Sequence, residues 1–356
     1  MNSIIRPEIL ALNSYHVQPA AGLIKLDAME NPFPFPGELR AGLAAALADA
    51  SLNRYPPAGA EDLKLAIRVA MKVPDELDIL LGNGSDEIIQ LIAMAAARPG
   101  AALLSVEPAF VMFRMIATFC GLRHVGVPLC ADFSLDQDTW ISAIRQHRPA
   151  ITFLASPNNP TGNLFARESI RATIAAAAEH GGLVVIDEAY FAFSPESFLD
   201  EVGDHANAVL MRTVSKLGLA GIRLGMLFGR KAWLDQFDKL RLPYNINALT
   251  QAAAIFAMQH YDALLAQAAT LQSERCRLAA ALAGLSGVTV FPSAANFILI
   301  RVADAGRTFT ALLSRKILVK NTCSSHPLLA DTLRLTVGTP AENDALIAAL
   351  TESTRP

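Results

Sequence analysis

"LVVIDEAYFAF", residues 183–193, sets an unbroken run of apolar, partly β-branched residues in front of two carboxylates and a tyrosine. A strand that is apolar on both faces is buried between two layers, and such strands belong to parallel sheets covered by helices. The same texture recurs in "AALLSV" (101–106), "ITFLAS" (151–156) and "AVLMRT" (208–213). Helical periodicity fills the intervals, at 85–97, 110–119, 138–147 and 166–180. Strand alternating with helix predicts an α/β fold, a three-layer large domain with a mainly parallel sheet in the middle.

Past residue 245 the texture changes. A long Ala/Leu/Gln-rich helical stretch (248–284) precedes the short apolar runs "VTVFPS", "FILIRV", "KILVKN" and "LRLTV". This predicts a smaller α/β C-terminal domain over 246–356 behind a large domain over 36–245. The proline-spotted segment 1–35 is too short for a domain and is expected to pack on the smaller one. No internal repeat or low-complexity tract interrupts this order.

The 356 residues are 52% hydrophobic, ample for a sizeable core. Thirty basic against 33 acidic residues leave a net charge of -3, so the basic field of a nucleic-acid binder is missing and a small-molecule protein is expected. The four cysteines, Cys120, Cys130, Cys276 and Cys323, form no CxxC pair and no zinc spacing, and no metal is expected. The start, "MNSIIRPEILALNSYHV", has no charged head followed by an apolar run, and no apolar stretch is long enough to span a membrane. A cytoplasmic protein without membrane partners is the expectation.

Several motifs sit where strands end. "ILLGNGSDEII" (79–89) reads as strand, glycine turn through Gly84, and a helix opening with Ser85 and Asp86. Free N–H groups at a positive helix end can hold a phosphate, although a glycine turn with a plain helix cap fits the same letters. Glu87 stands where a dinucleotide fingerprint needs its last glycine, which counts against a nicotinamide dehydrogenase. "SPNNPTGN" (156–163) reads as a turn with Asn159 before Pro160 and Gly162 free to take positive φ. Asp187, at the mouth of an apolar strand, needs a cationic partner, a protonated base or a metal, unless it only caps the next element. No second carboxylate or histidine sits at ligand spacing nearby, which weakens the metal option.

"TVSKLGLAGIRLG" (213–225) adds two hydroxyls, Thr213 and Ser215, a guanidinium, Arg223, and Lys216 among small and apolar neighbours. A desolvated lysine loses its charge more readily and becomes an imine-forming nucleophile. Together the motifs ask for one ligand with a phosphate, a basic ring nitrogen, a phenolic oxygen and an aldehyde. Pyridoxal 5'-phosphate has all four.

With these pieces the chain resembles the fold-type-I pyridoxal-phosphate-dependent aminotransferases, and within them the histidinol-phosphate aminotransferases. "RPEI", "MENPFPFP", "RYPPAG", "GNGSDE", "EPAFVMF", "SPNNPTGN", "VVIDEAYFAF", "TVSKLGLAGIRLG", "ANFILIRV" and "LRLTVGTP" spread the resemblance nearly end to end. It implies that Lys216 binds the cofactor aldehyde and Asp187 its ring nitrogen. Asn159 and Tyr190 take the ring oxygen, Phe110 stacks on the ring, and Gly84, Ser85, Asp86, Thr213, Ser215 and Arg223 surround the phosphate. For Phe110 a core role in "FVMF" competes, and many relatives have tyrosine there. Tyr55 would reach the cofactor of the neighbouring subunit, which implies a homodimer.

Arg334 is implied in holding the carboxylate of glutamate or 2-oxoglutarate and the phosphate of histidinol phosphate, helped by Tyr15, Asn31 and Lys320. Where many relatives have arginine followed by aspartate, this chain has Lys320 and Asn321, a point charge in place of a fork. The spacing from Lys216 to Arg223 is one residue shorter than in some members, with Gly221 expected to reshape the turn. The implied reaction is transamination between L-histidinol phosphate and 2-oxoglutarate in histidine biosynthesis. An aromatic amino acid aminotransferase or a threonine-phosphate decarboxylase of the same fold are the alternatives, and a cofactor-binding regulatory module is the non-enzymatic one.

Overall fold

The computed structural model describes residues 4–14 and 18–353, so Tyr15 lies outside the described residues. Twelve strands are present among them: β1 (Ile24–Leu26), β2 (Asp78–Gly82), β3 (Ala102–Glu107), β4 (Arg123–Pro128), β5 (Ile151–Ala155), β6 (Leu183–Asp187), β7 (Ala208–Thr213), β8 (Gly225–Gly229), β9 (Thr289–Val290), β10 (Phe297–Arg301), β11 (Ile317–Asn321) and β12 (Thr332–Thr336). Seven form one sheet in the order β2-β8-β7-β6-β5-β3-β4. Only β8 runs against the others, antiparallel to both β2 and β7. The remaining neighbours pair in parallel.

The apolar strands are buried on both faces, and alternate residues serve different layers. Leu80, Leu103, Phe153, Val185, Val209 and Met211 meet Ile88, Ile92, Phe113, Ile116, Leu234 and Phe237 from helices 85–96, 111–119 and 231–238. Their neighbours Leu81, Leu104, Leu154, Val184, Ile186 and Leu210 join the opposite layer with Leu63, Ile67, Trp140, Ile144, Ile170 and Ile174. Each fully buried side chain of this kind contributes about 1.5–3 kcal/mol. Trp140 Nε1 donates to Thr173 Oγ1 at 2.8 Å, pinning helix 137–147 to helix 167–178. This is the three-layer architecture the alternating pattern predicts.

The second sheet has the order β1-β11-β12-β10-β9. Residues 24–26 of the N-terminal segment run parallel to β11, while β11, β12, β10 and β9 pair antiparallel. The pairing sets Lys320 directly opposite Arg334, so both side chains leave the same face.

One feature differs from the periodicity. The stretch 248–284 is two helices, Ala248–Gln259 and Tyr261–Ala283, broken at His260, where ψ turns to 32°. Asn247 opens the first by accepting the Thr250 N–H at 2.9 Å. That helix packs on helices 40–48 and 61–71.

Candidate active site

Because β2, β3, β5, β6 and β7 run the same way, their carboxyl ends open on one edge of the large sheet, the usual place for a ligand in such folds. The motifs read from the sequence follow these ends in turn: Gly84–Asp86 after β2, Phe110 after β3, Asn159 after β5, Asp187 closing β6, and Ser215 and Lys216 after Thr213 of β7.

Lys216 sits in a tight helical turn, Ser215–Leu217, released by Gly218 at φ 114°. Its Nζ donates to the main-chain oxygen of Ala28 at 3.3 Å. Burial brings its pKa down to about 8; the Arg334 guanidinium pushes the same way, and the Glu30 and Asp86 carboxylates oppose it. Asp187, 5% exposed, is shifted the other way, up to about 7, first by burial and then by the carboxylates of Asp86 and Glu188. A hydrogen bond from the Ala189 N–H to its Oδ1, at 2.9 Å, works against that rise. An amine made easy to discharge and an acid waiting for a cation thus share one pocket.

The turn after β2 forms a cup. Gly84, at φ 84°, precedes the helix 85–96, and a Cβ there would come within 2.6 Å of an Arg223 guanidinium nitrogen. Gly225 packs so closely underneath that its Cβ would lie 2.6 Å from the Gly84 carbonyl carbon and 2.7 Å from Ser85 N. Thr213 Oγ1 lies 2.9 Å from Ser215 Oγ. Arg223 Nη2 stands 3.9 Å from Asp86 Oδ2, while Asp86 Oδ1 is buried without a hydrogen-bond partner. Burial raises the Asp86 pKa, with Arg223 and Lys216 opposing. Gly221, the residue expected to reshape this turn, keeps an ordinary backbone; Gly218 and Arg223 itself, at φ 53°, take the left-handed conformations. Glu87 accepts the Asn83 N–H at 2.5 Å and the Asn245 amide at 2.8 Å, so it caps the glycine turn.

Asn159 is the junction of the pocket. Its amide nitrogen donates to the Tyr190 hydroxyl at 3.0 Å, and its oxygen accepts from Arg334 Nη1 at 2.6 Å. Arg334 Nη2 donates to Asp27 O at 2.7 Å, and the guanidinium lies over the Phe297 ring. Phe110, half-buried, meets Phe113 edge-on at 5.7 Å. Asn31 reaches the lysine turn but spends its amide on Leu217 O (3.2 Å) and Gln267 Oε1 (3.1 Å), and accepts the Phe33 N–H. Tyr55 stays 79% exposed, stacked on Tyr244 with ring centroids 4.4 Å apart.

The residues that sequence reading missed are main-chain groups. The carbonyls of Asp27 and Ala28 receive Arg334 and Lys216, and Met29, at φ 53°, is held by Thr336 Oγ1 and the Asn296 amide. Carbonyl oxygens have no residue-type signature; the only signal was the neighbouring "MENPFPFP".

A profile of the family described as aminotransferase class I and II matches residues 21–350. The chain belongs to that aminotransferase family. Its relatives include histidinol-phosphate aminotransferase 2 of Cupriavidus pinatubonensis, 53% identical over 98% of this chain and 96% of that protein. The histidinol-phosphate aminotransferase of Chromobacterium violaceum is 52% identical over 98% of both chains. The crystal structure of histidinol-phosphate aminotransferase from Sinorhizobium meliloti, in complex with pyridoxal 5'-phosphate, superimposes with a TM-score of 0.88 at 26% identity, covering 100% of this chain and 98% of that one. Aminotransferases of this family use pyridoxal phosphate, and the fold is the fold-type-I architecture.

The residues of this aminotransferase fit that cofactor. The glycine cup leaves room where a Cβ would intrude, the helix end and Arg223 suit a phosphate, and Asp187 is a buried acid in need of a cation. Replacing Gly225 with alanine should push the Gly84–Ser85 backbone out of place and weaken cofactor binding about 10- to 100-fold, equivalent to an overpacking cost of 1–3 kcal/mol. Titration of the apoprotein with pyridoxal phosphate checks this, and unchanged affinity would refute the close-packed cup.

Proposed function

We propose that this aminotransferase transfers the amino group of L-histidinol phosphate to 2-oxoglutarate, giving imidazole acetol phosphate and glutamate, as a cytoplasmic step of histidine biosynthesis. The observation that supports it most is Arg334, bonded to Asn159 and within electrostatic reach of Lys216, a fork for an anionic substrate near an imine-competent amine, in a chain about half identical along its length to histidinol-phosphate aminotransferases.

Bound pyridoxal phosphate supplies the aldehyde that takes up the amino group and a ring that accepts electrons from the substrate carbon. In this reading Lys216 would hold the cofactor aldehyde and, as the free amine, would carry a proton to and from the substrate carbon. Asp187 holds the proton on the ring nitrogen. Asn159 and Tyr190 hold the ring oxygen, and Phe110 covers the ring face. Gly84, Ser85, Asp86, Thr213, Ser215 and Arg223 hold the phosphate by main-chain N–H groups, hydroxyls and one guanidinium.

Arg334 receives the phosphate of one substrate and the carboxylate of the other, since one planar fork matches both anions. Lys320 adds a second positive charge from the facing strand. Arg334→Lys keeps the charge and loses the fork and its bond to Asn159. The KM for both substrates should rise about 10- to 100-fold, as expected for losing a charged hydrogen bond, while cofactor affinity holds. Steady-state kinetics with each substrate varied provides the measurement.

The same reading makes the enzyme a homodimer, with Tyr55 reaching the cofactor phosphate of the second copy. The exposure of Tyr55 (79%), Leu52 (74%) and Leu242 (73%) supports a covered face there. It also divides the chain into an N-terminal segment over 1–35, a large domain over 36–245 and a small one over 246–356.

Amino transfer to 2-oxoglutarate from histidinol phosphate, phenylalanine and O-phosphothreonine tests the substrate. Turnover is expected with the first. Preference for phenylalanine, or carbon dioxide release from O-phosphothreonine without turnover of histidinol phosphate, overturns the proposal.

A further inference from the structure

Among the described ion pairs none is as buried as Arg212–Glu188, whose side chains are 7% and 4% exposed. The pair lies next to the cofactor residues on two adjacent strands: Glu188 follows Asp187 at the end of β6, and Arg212 precedes Thr213 at the end of β7. Glu188 Oε2 accepts from Arg212 Nε at 3.0 Å and Nη2 at 2.8 Å, and from the Ser197 hydroxyl at 2.9 Å. Its Oε1 accepts the Phe198 N–H at 2.6 Å. The Arg212 guanidinium lies over the Phe191 ring, 4.5 Å from its centroid. Both carboxylate oxygens of Glu188 are therefore occupied, and Arg212 offsets the charge that pushes up the pKa of the neighbouring Asp187.

Such a pair is poor value as a source of stability. Desolvating both charges consumes most of what their attraction returns, and apolar residues of similar size do as well. Position offers a better reason. Two adjacent carboxylates close an apolar strand, and only one of them faces the ligand pocket uncompensated. Glu188 also ties down residues 188–198 through Ser197 and Phe198, the excursion on which Tyr190 meets Asn159.

We propose that Glu188 and Arg212 are positioning residues for transamination: Arg212 offsets the Glu188 charge beside Asp187, the carboxylate toward the cofactor ring nitrogen, and the pair holds Tyr190 against Asn159. The inference rests on the proposed role of Asp187.

A charge-balancing role predicts effects of opposite sign from the two partners. The readout is the pH midpoint of the visible absorption of the protein loaded with pyridoxal phosphate, with the cofactor dissociation constant measured beside it. Arg212→Met leaves the Glu188 charge uncancelled, makes the pocket more negative, holds protons there more tightly, and should move the midpoint up. Glu188→Gln leaves Arg212 uncancelled and should move it down. Shifts of about half to one pH unit are expected for one added charge near the site. The double variant should return close to the parent value, and so should Arg212→Lys, which retains the charge. Asp86, Lys216, Arg223, Arg334 and Glu30, the other charged groups acting on this pocket, are common to all the variants.

Shifts in the same direction from both single variants, or none, overturn the proposal. If a single variant fails to fold by circular dichroism, Arg212→Lys and the double variant decide it, and a shift of a unit in either one is the overturning result. Asp187→Asn separates the two readings. If it leaves both midpoint and cofactor affinity unchanged, the role of Asp187 fails; if it moves them while the partner variants do not, only the pair's role fails.

Discussion

Lys216→Ala is expected to lower turnover by about 10³- to 10⁴-fold, the upper part of the range for losing a positioned proton-transfer group. The loss should exceed that of the other substitutions because the proposed function gives one amine two duties, binding the cofactor aldehyde and carrying the proton. The site prepares it for both. With its pKa down at about 8, about half of the Lys216 amines are uncharged near that pH, whereas a solvated lysine would be almost wholly charged. Ala28 O gives the side chain a hydrogen-bond acceptor and Arg334 adds positive potential. Lys216→Arg retains a cation but cannot discharge, so it should be equally inactive. Borohydride should fix pyridoxal phosphate to the peptide containing Lys216 in the parent and leave both variants unlabelled. Turnover within tenfold of the parent in Lys216→Ala would sink the assignment.

Much of this site was legible because its side chains are out of character with their surroundings. Asp187 ends a strand of Leu, Val and Ile; Lys216 sits among Leu, Gly and Ala; a pocket is the physical reason for each. What was hidden falls into three kinds. Strand β8 is bounded by Gly225 and Gly229 and is short, so no period marked it, yet it lies between β2 and β7 and brings Gly225 under the Gly84 turn. Contacts distant in sequence were also silent: Arg334 meets Asp27 O and Asn159, and Arg212 meets Glu188, through folding alone. The break at His260 was masked by helix-forming neighbours on both sides, whose local preference says nothing about a change of direction. Asn31 belongs with the distant contacts, since the resemblance implied a substrate role while its amide links Leu217 and Gln267.

Asp187→Asn should lower turnover by about 10²- to 10³-fold, as for losing one electrostatic stabiliser, and its effect on the apoprotein should have the opposite sign. In the apoprotein the carboxyl group has its pKa raised from 3.8 to about 7, chiefly by burial, so the native state holds this proton more tightly than the unfolded chain does. The resulting stability is fully present below pH 4 and is lost as pH rises through about 7. Between pH 5 and 8 the loss amounts to about 2–3 kcal/mol. Asparagine cannot ionise and removes that term, so apo Asp187→Asn should gain on the parent by this amount over the same interval, read from urea midpoints. The loaded protein reverses the comparison. In the proposed function a protonated ring nitrogen would stand against Asp187, favour the charged carboxylate, offset its desolvation and lower its pKa, so pyridoxal phosphate should stabilise the parent far more than the variant at pH 8. Asparagine offers the ring nitrogen no negative charge, which leaves the ring a weaker electron acceptor and accounts for the slower turnover. A parent and variant with parallel stability profiles across pH 5 to 8, and equal stabilisation by cofactor, would show that Asp187 caps the next element and does not face the ring.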